Sequence, residues 1–131
     1  MKKQTIFNVL FLMPAFFANS CGQSDKKIQV VKPALFQELL KTGDNLVLLD
    51  VRTPEEYNSG AIANAVNIDF YETDFSDKLS KLDKSKTYLV YCRSGKRSNK
   101  TANMLIDQGF KNVVDLDGGI IAWQEAGMSV K

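Results

Sequence analysis

At 131 residues, 44% of them hydrophobic and 24% charged, the chain has room for one globular domain of ordinary size and not for two. Its formal charge of +2 comes from 17 Lys and Arg against 15 Asp and Glu. Lys2 and Lys3 account for that excess, so the body is neutral and gives no electrostatic reason to expect nucleic acid as a partner. There is no histidine, which excludes Ser-His and Cys-His couples and any imidazole metal site.

Two cysteines, Cys21 and Cys92, cannot make a zinc site alone. The chemistry is left to a thiol, carboxylates, arginines, lysines and backbone N–H groups.

In chain order, Met1-Lys2-Lys3 and the apolar run Ile6–Phe17 read as the basic and hydrophobic regions of a secretory signal over residues 1–20. The run is too short, and too interrupted by Pro14, to read as a permanent membrane span. Ala18-Asn19-Ser20 before Cys21 suits signal-peptidase cleavage. Cys21 followed by Gly22-Gln23-Ser24-Asp25 also resembles a bacterial lipoprotein start, with Ala18 and Asn19 departing from the usual lipobox. The sequence thus leads to an expectation of export, to the periplasm or to a bacterial membrane through lipid on Cys21. Residues 21–27 would then be a tether and 28–131 the folded domain.

Ile28–Val31 predicts a short strand. Pro33 opens a helix that carries Leu35, Phe36, Leu39 and Leu40 at helical spacing to Lys41, and Gly43 ends it. Leu46–Leu49 is a continuous apolar strand of the kind buried on both faces of a parallel sheet, with Asp50-Val51-Arg52 as its polar exit. Thr53-Pro54-Glu55-Glu56 has the form of a capped helix start, stopped at Asn58-Ser59-Gly60. Ala65–Ile68 and Asp77–Leu82 predict a short strand and a short helix.

Tyr88–Tyr91 is a second buried strand that ends at Cys92. After the polar loop a helix runs to about Gln108, its apolar face made by Ala102, Leu105 and Ile106, and Gly109 closes it. Val113–Leu116 is a strand, Gly118-Gly119 a break, and Ile120–Ala126 a last helix that carries Trp123 as a core residue. Strands alternating with helices predict an α/β fold with a central parallel sheet and helices on both faces.

Cys92-Arg93-Ser94-Gly95-Lys96-Arg97-Ser98 lies between a buried strand and a helix N-terminus, at the carboxyl end of the strands where such sheets bind ligands. Successive N–H groups there form an anion-binding nest, Gly95 permits the tight turn, and the helix dipole adds positive potential. Arg93, Lys96 and Arg97 strengthen that field. Thiols beside helix N-termini and cations ionise more readily than free cysteine, so Cys92 is the candidate nucleophile in a chain without a histidine base.

The Cys92–Ser98 loop resembles the active-site loop of the rhodanese family of sulfurtransferases. Leu48–Arg52, Glu55-Glu56-Tyr57, Gly60–Ala65 and Leu116–Trp123 are similar to further motifs of that family, in order, over about Ile28 to Val130. The resemblance implies transfer of a sulfane sulfur through a persulfide on Cys92, from a small anionic donor such as thiosulfate to cyanide or a cellular thiol. Arg93, Ser94, Gly95, Lys96, Arg97 and Ser98 would bind the substrate. It implies no cofactor and no metal, and a monomer is expected from one small domain.

Asp50 and Arg52 read as structural or pocket support, with Arg52 expected to pair with Glu55 or Glu56. Phe70, Tyr71 and Phe75 are candidates to cover the pocket. Ala61 stands where many relatives have histidine. Related phosphatases place five residues between cysteine and arginine; here four separate Cys92 from Arg97, which disfavours phosphatase chemistry. A sulfur carrier or docking module without turnover, and a Cys21–Cys92 redox pair, are the other readings that the residues allow.

Overall fold

The computed structural model describes residues 28–131; the expectations for the leader, the tether and Cys21 lie outside the described residues. The elements are β1 (Gln29–Val31), α1 (Pro33–Thr42), β2 (Leu46–Asp50), α2 (Pro54–Asn58), β3 (Val66–Asn67), α3 (Phe75–Ser80), β4 (Thr87–Tyr91), α4 (Lys96–Asp107), β5 (Val113–Leu116) and α5 (Gly119–Glu125). The five strands form one sheet in the order β1-β5-β4-β2-β3, and every pairing is parallel. A parallel sheet needs crossovers, and the helices that supply them cover both faces.

Strand alternation divides the core into two. On one face Leu49, Tyr88, Val90, Cys92 and Val113 pack against Phe75 and Leu79 of α3 and Ala102, Leu105 and Ile106 of α4. On the other, Leu48, Leu89, Tyr91, Val114 and Leu116 pack against Phe36 of α1 and Ile120 and Trp123 of α5. The continuous apolar runs are explained by this arrangement, since successive side chains of β2 and β4 enter opposite halves of the core.

Boundaries differ from the sequence expectation where short elements depend on tertiary packing. The helix expected at Asp77–Leu82 is α3, which begins two residues earlier. Phe75 and Leu79 stand one helical turn apart, 4% and 0% exposed, and their joint burial sets its phase. β3 is shorter than expected because only Val66 and Asn67 meet partners on β2. The capped start of α2 forms as a capping box: Thr53 Oγ1 accepts from the Glu56 N–H at 3.3 Å, and Glu56 Oε2 accepts from the Thr53 N–H at 3.0 Å.

Candidate active site

Cys92 is the first residue beyond β4, and the strand's alternation turns its side chain into the α3–α4 half of the core, 1% exposed. Its Sγ accepts a hydrogen bond from the Gly95 N–H at 3.1 Å and lies 3.5 Å from Ser98 Oγ. Gly95 caps α4 with φ 103°, a left-handed conformation that a side chain would strain. That turn aims its N–H at the sulfur. The 12-residue helix α4 begins at once and adds the positive end of its dipole.

The carbonyl side of the loop is held by the start of α5. Ile120 N–H donates to Cys92 O at 2.9 Å and Ile121 N–H to Arg93 O at 3.2 Å. Gly119 makes this approach possible: with φ 61°, a Cβ there would meet Arg93 O and lie 2.6 Å from Cys92 O. Gly118-Gly119 is therefore part of the site rather than only a chain break.

The loop residues fall into two groups. Arg93, Ser94 and Lys96 are exposed, and among the described residues neither Arg93 nor Lys96 is in an ion pair. Gly95 is half-buried, and Ser98 is fully buried beneath the loop.

Arg97, grouped by sequence with the donor-facing cations, is committed elsewhere. Its Nη1 and Nη2 fork onto Glu56 Oε2 and Oε1 at 2.8 and 2.9 Å, and its guanidinium lies 5.5 Å from the Tyr71 ring centre. The Arg97 hydrogen bond holds the Glu56 carboxyl down at about 2, and Glu56 in turn raises the guanidinium further above its ordinary value. This bidentate pair staples the first turn of α4 to α2.

Asp50 and Arg52 sit across the sheet from the thiol. Arg52 donates from Nε to both Asp50 oxygens at 3.0 Å and from Nη2 to Asp50 Oδ2 at 2.6 Å and Gly60 O at 2.8 Å. Its guanidinium is 5.6 Å from the centre of the Tyr91 ring, which belongs to the α1–α5 half of the core. Burial, then Asp50, pushes the Tyr91 phenol up. The expected partners Glu55 and Glu56 are thus corrected to Asp50, because residues two apart at a strand end share a face, whereas Glu56 caps α2 and takes Arg97.

The remaining residues singled out by sequence separate as well. Phe75 is a core residue, Phe70 packs edge-on between Phe75 and Tyr71, and Tyr71 is 67% exposed beside Arg97. Trp123 is 4% exposed, in the core, and donates from Nε1 to Ser129 O at 3.0 Å. Ala61 is buried, and its backbone exchanges two hydrogen bonds with Lys131, at 2.9 and 2.8 Å. Sequence reasoning missed the Glu56–Arg97 staple, the seat at Gly119, and Asp115, whose only signal was a carboxylate in an apolar strand.

Among the described residues no group of three or more His, Cys, Asp or Glu side chains could hold a metal ion. A cavity of about 420 Å³, lined by Gln37, Leu46, Ile62, Asn64 and Trp123 among others, shares no residue with the Cys92 loop.

Residues 32–126 match the family model described as Rhodanese-like domain. A sulfurtransferase of Allochromatium vinosum is 34% identical over 102 residues, covering 78% of this chain and 92% of that protein. A tRNA uridine(34) hydroxylase of Cytophaga hutchinsonii is 41% identical over 96 residues, covering 71% of this chain but only 30% of the longer protein. Among solved structures, a rhodanese-related protein from Thermoplasma volcanium superposes with a TM-score of 0.69 at 34% identity, covering 79% of this chain and 97% of that one.

Proposed function

The chain belongs to the rhodanese-like domain family, and from that premise we propose that it is a sulfurtransferase in which Cys92 carries the transferred sulfur. The observation that carries this reading is the seat of the thiol: Sγ faces the Gly95 N–H at 3.1 Å, at the start of α4. A thiolate there attacks the outer sulfur of thiosulfate. The new Sγ–S bond forms as the S–S bond of the donor breaks, and sulfite leaves with the electron pair. The acceptor then attacks the outer sulfur of the persulfide; cyanide leaves as thiocyanate, and Cys92 returns as thiolate. No histidine is required, because neither step takes a proton from the donor.

Donor recognition falls to Arg93 and Lys96, which are exposed and, among the described residues, outside ion pairs, together with Ser94 and the nest. Arg97 shapes the site through Glu56, and Ser98 contacts the sulfur from beneath. A doubly charged donor such as thiosulfate suits two cations better than a singly charged one. The export reading completes the proposal: residues 1–20 as a leader and Cys21 as the lipid-bearing residue of a bacterial envelope protein, on the support of the sequence alone.

The test is thiocyanate formation from thiosulfate and cyanide by the full chain and by Cys92→Ala. Saturable turnover, lost in the variant, is expected. A folded wild type without turnover would overturn the thiosulfate reading and turn the search to a protein that loads or unloads Cys92.

A further inference from the structure

One buried ionisable side chain has no part in the steps above. Asp115 stands in β5, 2% exposed, within the otherwise apolar run Val113–Leu116. Strand alternation places it on the α3–α4 face, because Val113 packs there while Val114 and Leu116 pack on the other side. That is the face that Cys92 occupies, and the partner of Asp115 on β4 is Val90, two residues before Cys92.

The carboxyl is poorly solvated for an anion. Asn99 Nδ2 donates to Oδ2 at 3.3 Å, a long hydrogen bond, and among the described residues Oδ1 is buried with no partner. A buried carboxylate with one long bond is costly, whereas a protonated carboxyl is much less so. Burial is the largest influence and raises its affinity for a proton; Asp117 acts the same way, and Ser98, Asn99 and the Leu116 backbone act against it.

The groups around it are few. Its own strand is followed by Asp117, which takes Lys32 Nζ at 2.7 Å. α4 presents the neutral Ser98 and Asn99, β1 presents Val30, and the end of β4 presents Cys92. Both groups lie against the first turn of α4: Ser98 Oγ is 3.5 Å from Cys92 Sγ, and the next residue, Asn99, donates to Asp115.

We propose that Asp115 is a positioning residue that keeps a proton while Cys92 carries anionic sulfur, so that the space beneath the first turn of α4 holds one negative charge rather than two. The proposal rests on the sulfurtransferase reading only for the identity of that anion. No proton moves in either sulfur-transfer step; the proton on Asp115 stays where it is, and the two groups sense each other electrostatically across the face of the sheet that they share. Ionisation of Asp115 at high pH then opposes the persulfide anion.

The experiment follows the Asp115 side-chain carboxyl by ¹³C NMR against pH, assigned with Asp115→Asn, in Cys92→Ser and in wild type loaded with thiosulfate. Mass spectrometry reports the loading. The midpoint is expected to lie higher in the loaded protein by about 1 pH unit, the direction in which a like charge moves a buried carboxyl. Equal midpoints would overturn the coupling. Absence of any sulfur adduct would instead sink the sulfurtransferase reading.

A second arm needs no loading. A carboxyl whose proton affinity is raised by folding contributes stability at low pH that is lost as pH rises through its folded value. The stability of Asp115→Asn relative to wild type, from urea denaturation, is therefore expected to increase as pH rises above the ordinary carboxylate range. A constant difference would show that Asp115 does not hold its proton, and the proposal would fail whatever the state of Cys92.

Discussion

The two central strands leave the sheet side by side and put their first residues to opposite uses. At the exit of β2, charge is consumed internally: Asp50 takes Arg52, Arg52 also takes Gly60 O, and Thr53 closes a capping box with Glu56. At the exit of β4, the backbone supplies the satisfaction. The loop carbonyls are tied to α5, the Gly95 N–H is left for sulfur, and Arg93 and Lys96 reach solvent outside any ion pair described. A saturated exit is a structural joint, and an unsaturated one is a place for a ligand. Glu56 and Arg97 cross between them, so the joint fixes the position of the Cys92 loop.

The contrast breaks most visibly at the saturated exit. Arg52→Ala leaves Asp50 buried without its partner, and a loss of about 3–5 kcal/mol is expected in urea denaturation, with kcat/KM of the folded fraction little changed. A large kinetic loss in fully folded Arg52→Ala would move that residue into the reactive site. Next in size is Gly119→Ala, where a Cβ in a left-handed conformation would press on the carbonyls of Cys92 and Arg93. About 1–3 kcal/mol of stability is expected to go, together with most of the turnover, because the loop must shift to admit the methyl. Turnover at the wild-type rate would mean that the α5 clamp does not set the sulfur's position.

Smaller effects sharpen the distinction among the loop cations. Arg93→Glu and Lys96→Glu are each expected to lower kcat/KM for thiosulfate about tenfold, or about 1.4 kcal/mol, an effect that salt reduces. Arg97→Gln is expected to act through lost positioning, with little salt dependence. Identical salt responses for all three would erase the division between exposed and committed cations.

A further effect is on acid stability. Because folding lowers the Glu56 value to about 2, its contribution is complete above the ordinary carboxylate range and is lost as pH falls toward about 2. Glu56→Gln lacks that contribution at neutral pH, and its stability should fall less steeply between those limits; parallel pH curves would show that the staple adds nothing.

Much of this was legible in the residues. The runs Leu46–Leu49 and Tyr88–Tyr91 announce buried strands, Val113–Leu116 announces a further strand, and Thr53 with Glu56 announces a capped helix, because these patterns are local. The Cys92 loop is legible for the same reason: strand, glycine turn and helix start follow one another. What sequence could not supply is pairing across the fold. Glu56 and Arg97 are 41 positions apart, so Arg97 read as one more cation. Asp115 read as part of a strand, since its importance depends on which face it shares with Cys92. The early start of α3 was hidden because Phe75 and Leu79 form a helical pair only once the α4 surface is there to bury them.

If sulfur travels on Cys92, mass spectrometry of the protein after brief exposure to thiosulfate finds it there. One added sulfur atom is expected on the peptide that contains Cys92, absent from Cys92→Ser and removed by cyanide with release of thiocyanate. A folded protein that gains no sulfur at Cys92, or gains it equally in the serine variant, would contradict the account.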